Sequence, residues 1–196
     1  SFFDKTPWKL LFLFFAIVII LRAPVFLDPH DEGDEIIYTF LVYQLRDGKG
    51  YTLQGTPLID FEILDKQQYG RKLFFHPPGG VGLFWLFDSI FGSNGFPMVQ
   101  MTCYSLFFWA MIMAACFLGL PPLAVLLTAV LSAVNPIIVH VNTHFWLDGS
   151  LVALCVLSLA IFIRALQNRS VLWAVAAGFV LGLASLIKIT AFLVMP

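Results

Sequence analysis

Charge is scarce in this sequence, and the scarcity decides its class. Only 12% of the 196 residues are charged, against about a quarter in a soluble domain. The basic residues form no cluster or stripe, which removes the electrostatic footprint of nucleic-acid binding. Cysteine is equally sparse. Cys103, Cys116 and Cys155 all sit inside apolar runs without metal-like spacing, which excludes a disulfide framework and leaves packing as their role. No small-residue cleavage site follows the first apolar run, so that run reads as an uncleaved span rather than a signal peptide. What is plentiful is apolar surface: 60% of residues are hydrophobic and the mean hydropathy is +0.89. A core of this size cannot hide so much, so lipid must be the solvent for much of it.

Apolar runs of about 20 residues mark spanning helices. The first covers residues 8–26, with Arg22 near its far end, where a long side chain can snorkel. Further spans are expected over residues 96–118, 123–141, 147–165 and 171–187, and residues 189–196 begin a sixth. The stretch 81–91 is too short to cross and is expected to lie in the interface or re-enter. The fold class is therefore all-α, a polytopic transmembrane helix bundle of five to six spans. Lys5 and Lys9 precede the first span, and Arg164 and Arg169 flank the turn after the fourth, which puts those ends in the cytoplasm. The loop of residues 28–92, the 142–146 connection and Lys188 then share the opposite, outer face. The chain lacks an initiator Met and stops within an apolar stretch. Residues 1–196 are thus expected to be one transmembrane module, the N-terminal part of a longer chain.

Nine of the twelve acidic residues fall between Asp28 and Asp65. The densest run is Asp28-Pro29-His30-Asp31-Glu32-Gly33-Asp34-Glu35, with five carboxylates just past the first span. It reads as a solvated acidic turn, as a general base whose pKa the lipid boundary raises, or as a site for a divalent cation. Residues 34–46 place Ile36, Ile37, Phe40, Leu41 and Leu45 at helical spacing, with acids at the N-terminal end. That is an amphipathic helix expected on the membrane surface. Gly48-Lys49-Gly50 ends it, and the remainder of the loop has no clear period.

Four further features carry chemistry. In Phe75-His76-Pro77-Pro78-Gly79-Gly80 the prolines make an elbow at the membrane boundary, which leaves His76 to bond a phosphate or a hydroxyl. His140, His144 and Asp148 are four apart and on one helix would share a face, as a metal or haem site or as ordinary hydrogen-bonding groups. Asp148 heads a span, where a carboxylate is expensive and so a functional candidate. Lys188 either snorkels or binds a lipid phosphate, and Arg71 and Lys72 could do the same from the loop.

The order of these features resembles the GT-C glycosyltransferases, specifically the protein O-mannosyltransferase and aminoarabinose transferase-like group. The resemblance is carried by Asp34-Glu35 through Arg46, Gly48-Lys49-Gly50-Tyr51-Thr52, His76-Pro77-Pro78-Gly79, Asp148 and Leu186-Ile187-Lys188. It implies a membrane enzyme that takes a sugar from a polyprenyl- or dolichyl-phosphate donor. The acceptor would be a protein, lipid or glycan on the periplasmic or lumenal face, and the compact loops favour a bacterial inner membrane over an endoplasmic reticulum. The resemblance puts the catalytic pair on Asp34-Glu35, with Asp31-Glu32 as its rival. It puts substrate-binding roles on His76, Asp148 and Lys188, and implies no cofactor beyond the cation left open above. Two other readings stand beside it: a non-catalytic subunit of a larger membrane complex, and a transporter. Transport would place charges near mid-bilayer, whereas here nearly all gather at one face.

Overall fold

The structure, a computed structural model, describes residues 7–27, 34–69, 77–144, 146–188 and 190–191. These form ten α-helices and one 3-10 turn, with no strand among the described residues. Helix α1 (Trp8–Leu27) has 20 residues, about 30 Å at 1.5 Å per residue, which matches the hydrocarbon core of a bilayer. Three helices precede the next span: α2 (Asp34–Arg46), α3 (Pro57–Asp60) and α4 (Lys66–Tyr69). Then come α5 (Gly79–Phe91), α6 (Gly95–Phe117), α7 (Pro122–Val134), α8 (Pro136–Thr143), α9 (Leu147–Asn168) and α10 (Val171–Ile187). Among the described residues, two apolar stretches, Gly79–Phe117 and Leu147–Asn168, are long enough to cross a membrane, and the bent α7–α8 pair makes a third. Helix α10, with 17 residues, is a shorter apolar helix.

Residues Gly79–Phe117 are helical almost throughout, yet they do not form one straight rod. Gly92 ends α5 at φ 59°, a left-handed turn that glycine adopts without a Cβ penalty. Phe84 then stacks on Phe96 with ring centroids 5.3 Å apart, which a straight helix would hold far apart. Helix α5 therefore folds back on α6. Its 13 residues measure about 20 Å, too short to span, as the sequence leads one to expect.

The expected third span is broken, which corrects the reading of residues 123–141 as one helix. Pro136 has no N–H to continue the ladder, and α7 and α8 meet at 52°. The Asn135 side chain restarts the helix by accepting from the backbone N–H groups of Ile137 (3.0 Å) and Ile138 (3.2 Å). The break frees the carbonyl of Ala133. Two donors take it up: the Arg22 guanidinium and the Tyr104 hydroxyl, the latter at 3.3 Å. Arg22 also lies over the Tyr104 ring, 5.6 Å from its centroid. Arg22 thus turns inward to the helix break rather than snorkelling outward, because an unpaired carbonyl in an apolar bundle is expensive.

Helix α6 is the hub. Phe96, Val99, Cys103 and Phe107 face one core cluster, shared with α2, α5 and the start of α9. Tyr104, Phe108, Ile112, Ala115 and Cys116 face another, shared with α1 and α7. All three cysteines are buried thiols. Where α9 packs on α10, Ser158 donates to the Ala177 carbonyl at 2.8 Å and Ala184 is buried, while Val171, Leu172, Val175 and Phe179 are exposed. Small residues inside and large apolar ones outside is the arrangement of helices whose solvent is lipid.

The loop belongs to the same core. Helix α2 forms where the acid-led pattern predicts it, but its buried side (Ile37, Tyr38, Leu41, Val42) packs against Val81 and Phe84 of α5. Arg46, at its end, reaches the buried Asp88 of α5 at 3.7 Å. Helices α3 and α4 lie in the stretch that shows no period, and Leu53, Leu58 and Ile59 anchor it.

Three helix ends meet through two glycines. A Cβ on Gly79 would stand 2.5 Å from the carbonyl oxygen of Leu186, and one on Gly80 would stand 2.5 Å from a methyl of Leu147. The backbone of α5 therefore lies directly on the end of α10 and the start of α9. Backbone cannot yield as a side-chain tip can. Gly79→Val should destabilise the fold by about 1–3 kcal/mol and lower the unfolding temperature in detergent. Gly82→Ala, with open space around its Cβ, should not lower it.

Candidate functional site at the loop end of the bundle

The glycine contacts set which residues reach the rim. Leu147 is buried against Gly80, so the next residue, Asp148, emerges at the head of α9. Helix α10 stops at Ile187, and Lys188 leaves it in extended conformation (φ −151°, ψ 131°). Its ammonium lies 2.9 Å from the Asp148 carboxylate. The two side chains are 29% and 37% exposed, so the pair adds little stability. Its importance is positional.

Helix α2 brings two further carboxylates. Successive helical residues point about 100° apart, and here the two environments are opposite. Asp34 is exposed, whereas Glu35 is fully buried. His144 donates from Nδ1 to Glu35 Oε1 at 2.7 Å. The His144 ring stacks on Trp146 (centroids 5.0 Å apart) and meets His140 edge-on at 4.4 Å. Its backbone carbonyl accepts from Gln100 Nε2 of α6 at 2.5 Å. A buried carboxylate persists only with such partners.

Tyr38 follows Asp34 by one helical turn and is buried. Burial pushes its phenol pKa well above the ordinary value, and the charges of Asp34 and Asp148 and the nearby Tyr51 push the same way. Burial alone raises that of Tyr51. Tyr38 thus stands within the fields of both acids, one from the loop and one from the bundle. Tyr51 reaches the Pro77 carbonyl at 3.5 Å, just before α5. Beside this group lies an apolar cavity of about 310 Å³ between α5, α6, α9 and α10, lined by Gly79, Leu83, Leu106, Leu154 and Leu186 among others. Its polar lining includes Cys103 and Ser150, which contact each other at 3.2 Å.

Of the residues singled out by sequence, Asp34, Glu35, Asp148 and Lys188 all lie at this loop end. Asp31, Arg71, Lys72 and His76 lie outside the described residues. His140, His144 and Asp148 do not share a helix face, because α8 ends at Thr143 and α9 begins at Leu147. Among the described residues no three His, Cys, Asp or Glu side chains are grouped to hold a metal ion. Tyr38, Gln100 and the Glu35–His144 bond were not among the features expected from the sequence, and Tyr51 was named only within its glycine-led motif. Gln100 carried a signal, since a lone amide within an apolar span calls for a partner.

Among the described residues, an all-helical bundle with lipid-facing apolar surface defines an integral membrane protein, and Asp34, Asp148 and Lys188 lie at one of its ends. Residues 75–196 match the model of the dolichyl-phosphate-mannose-protein mannosyltransferase family, and the chain belongs to that family, one of GT-C-type membrane glycosyltransferases. Neither curated proteins nor solved structures give a match.

The raised phenol pKa of Tyr38 has a measurable consequence. In the unfolded chain the phenol ionises near its ordinary value of 10.0, but in the fold it ionises only at higher pH. Its contribution to stability is therefore intact below that value and is lost as pH rises above it. Tyr38→Phe should flatten the decline of the unfolding temperature above pH 10, and phenolate absorbance in the native protein should show one fewer late-titrating group.

Proposed function

We propose that this chain transfers a sugar from a polyprenyl- or dolichyl-phosphate donor to an acceptor hydroxyl on the periplasmic or lumenal face, with Asp34 as general base. The observation that carries this reading is the gathering at one bundle end of the exposed acid of α2 and the Asp148–Lys188 pair, tied together by the Glu35–His144 bond between the head of α2 and the residues just before α9. Asp34 takes the proton of the acceptor hydroxyl as its oxygen attacks the anomeric carbon. The bond from that carbon to the phosphate oxygen breaks, and the phosphate leaves with the electron pair, so a single displacement inverts the centre. Lys188 answers the charge that develops on the leaving phosphate. Asp148 holds the Lys188 ammonium at the rim until the donor arrives. His76, Arg71 and Lys72 are further candidates for the phosphate. The apolar cavity under Gly79 and Leu186 suits the first isoprenoid units of a donor whose tail stays in lipid.

A second reading, a structural subunit that keeps the scaffold without the chemistry, is favoured by one observation. The family match begins at residue 75, beyond Asp34 and Glu35.

Transfer assays with polyprenyl- and dolichyl-phosphate sugars separate the two. Asp34→Asn should lower kcat by about 10²–10⁴-fold, the usual worth of a positioned base. Lys188→Met should raise the KM for the donor and lower kcat. Undiminished transfer by Asp34→Asn removes Asp34 as the base, and no transfer by the unaltered protein with a panel of donors favours the subunit.

A further inference from the structure

No chemical step in the reading above uses His144, yet it holds a fully buried carboxylate next to the proposed base. We infer that His144 is a positioning residue: through Glu35 it fixes the rotation of α2, and so sets Asp34 relative to Asp148 and Lys188. This rests on the assignment of Asp34 as base.

Three observations carry it. First, Asp34 and Glu35 are neighbours with opposite environments, one exposed and one with no accessible surface. Turning α2 by one residue about its axis would swing Asp34 to where Glu35 now points, so whatever holds Glu35 inward also holds Asp34 outward. Second, His144 is itself fixed. Its carbonyl is tied to Gln100 of the central α6, and its ring packs on Trp146 and His140. Third, the junction that carries His144 is the one that starts α9. Gly149 lies so close to this junction that a Cβ there would be 2.9 Å from Asn142 Oδ1 and 3.1 Å from Gln100 Oε1. The same junction therefore bears on Asp148 directly and on Asp34 through Glu35. The far end of α2 is pinned separately, by Arg46 on Asp88.

The test uses the full chain purified in detergent, with His144→Ala, His144→Asn and Glu35→Gln. Asparagine keeps an N–H donor near the position of Nδ1. Hydrogen–deuterium exchange over residues 34–46 should speed up by about tenfold or more in His144→Ala, the scale of a lost hydrogen bond to a charged group, while residues 147–168 keep their protection. His144→Asn should restore most of it, and Glu35→Gln should loosen the same segment. In the transfer assay His144→Ala should lower kcat by about tenfold with the donor KM unchanged, again with recovery in His144→Asn. Unchanged exchange in His144→Ala overturns the inference, as does a loss that asparagine does not repair or an effect on KM alone. If His144→Ala unfolds throughout, His144→Asn decides: protection and kcat near the unaltered protein support the inference, and a loosened 34–46 segment overturns it. If the unaltered protein transfers no sugar, the proposed function fails while the exchange measurement still decides the role of His144.

Discussion

The close approach of Gly79 to the Leu186 carbonyl organises the loop end of this molecule. Helices in lipid have no hydrophobic drive toward one another, so they associate where backbones can come near enough for dense packing. The two glycines after Pro77-Pro78 allow this at the point where three helix ends converge. The start of α5 then rests on the end of α10, and Leu147 is trapped between them. Asp148 and Lys188, 40 positions apart in sequence, are neighbours because the residues immediately before them are locked in this contact. The α2 layer depends on it too, since its apolar side is received by Val81 and Phe84 of α5.

Several polar side chains that enter the apolar interior donate to a backbone carbonyl there, although the buried Gln100 Oε1 and Asn142 Oδ1 have no hydrogen-bond partner among the described residues. Gln100 holds the His144 carbonyl, Asn142 donates to the Ile138 carbonyl, and Ser158 donates to the Ala177 carbonyl. Glu35 is the most expensive of these groups, and its bond to His144 turns that expense into a fixed orientation. Stability and geometry at the site thus come from the same contacts, while the groups proposed for chemistry, Asp34, Asp148 and Lys188, stay accessible.

Much of the architecture could be read from hydropathy. Helices α1, α6, α9 and α10 lie within a few residues of their expected places, and α5 was recognisable as too short to cross. The acid-led pattern after Gly33 located α2. What escaped was of two kinds. Non-local pairing leaves no trace in a single sequence: nothing in Arg22 points to Ala133, nor in Glu35 to His144. Local chemistry was also underweighted, since Asn135-Pro136 is a helix-breaking signal that the surrounding apolar run masked. The family model bears out the membrane glycosyltransferase class, and the resemblance that suggested it came from the order of motifs, because the spacing of any one of them is too common to decide.

The broken third span also bears on how the protein is assembled. Arg22 reaches its acceptor 111 positions further along the chain. A guanidinium in the hydrocarbon is costly, by about 2.5–3.5 kcal/mol at mid-bilayer on insertion scales. Until α7 and α8 have been made, that charge must be kept at the water boundary, and the helix must ride at a depth that allows it. Only when α7 and α8 have been synthesised does the freed carbonyl of Ala133 give it a place inside. Helix α1 therefore takes its final rotation only after α7 and α8 are in place, and a proline translated long after it dictates that rotation.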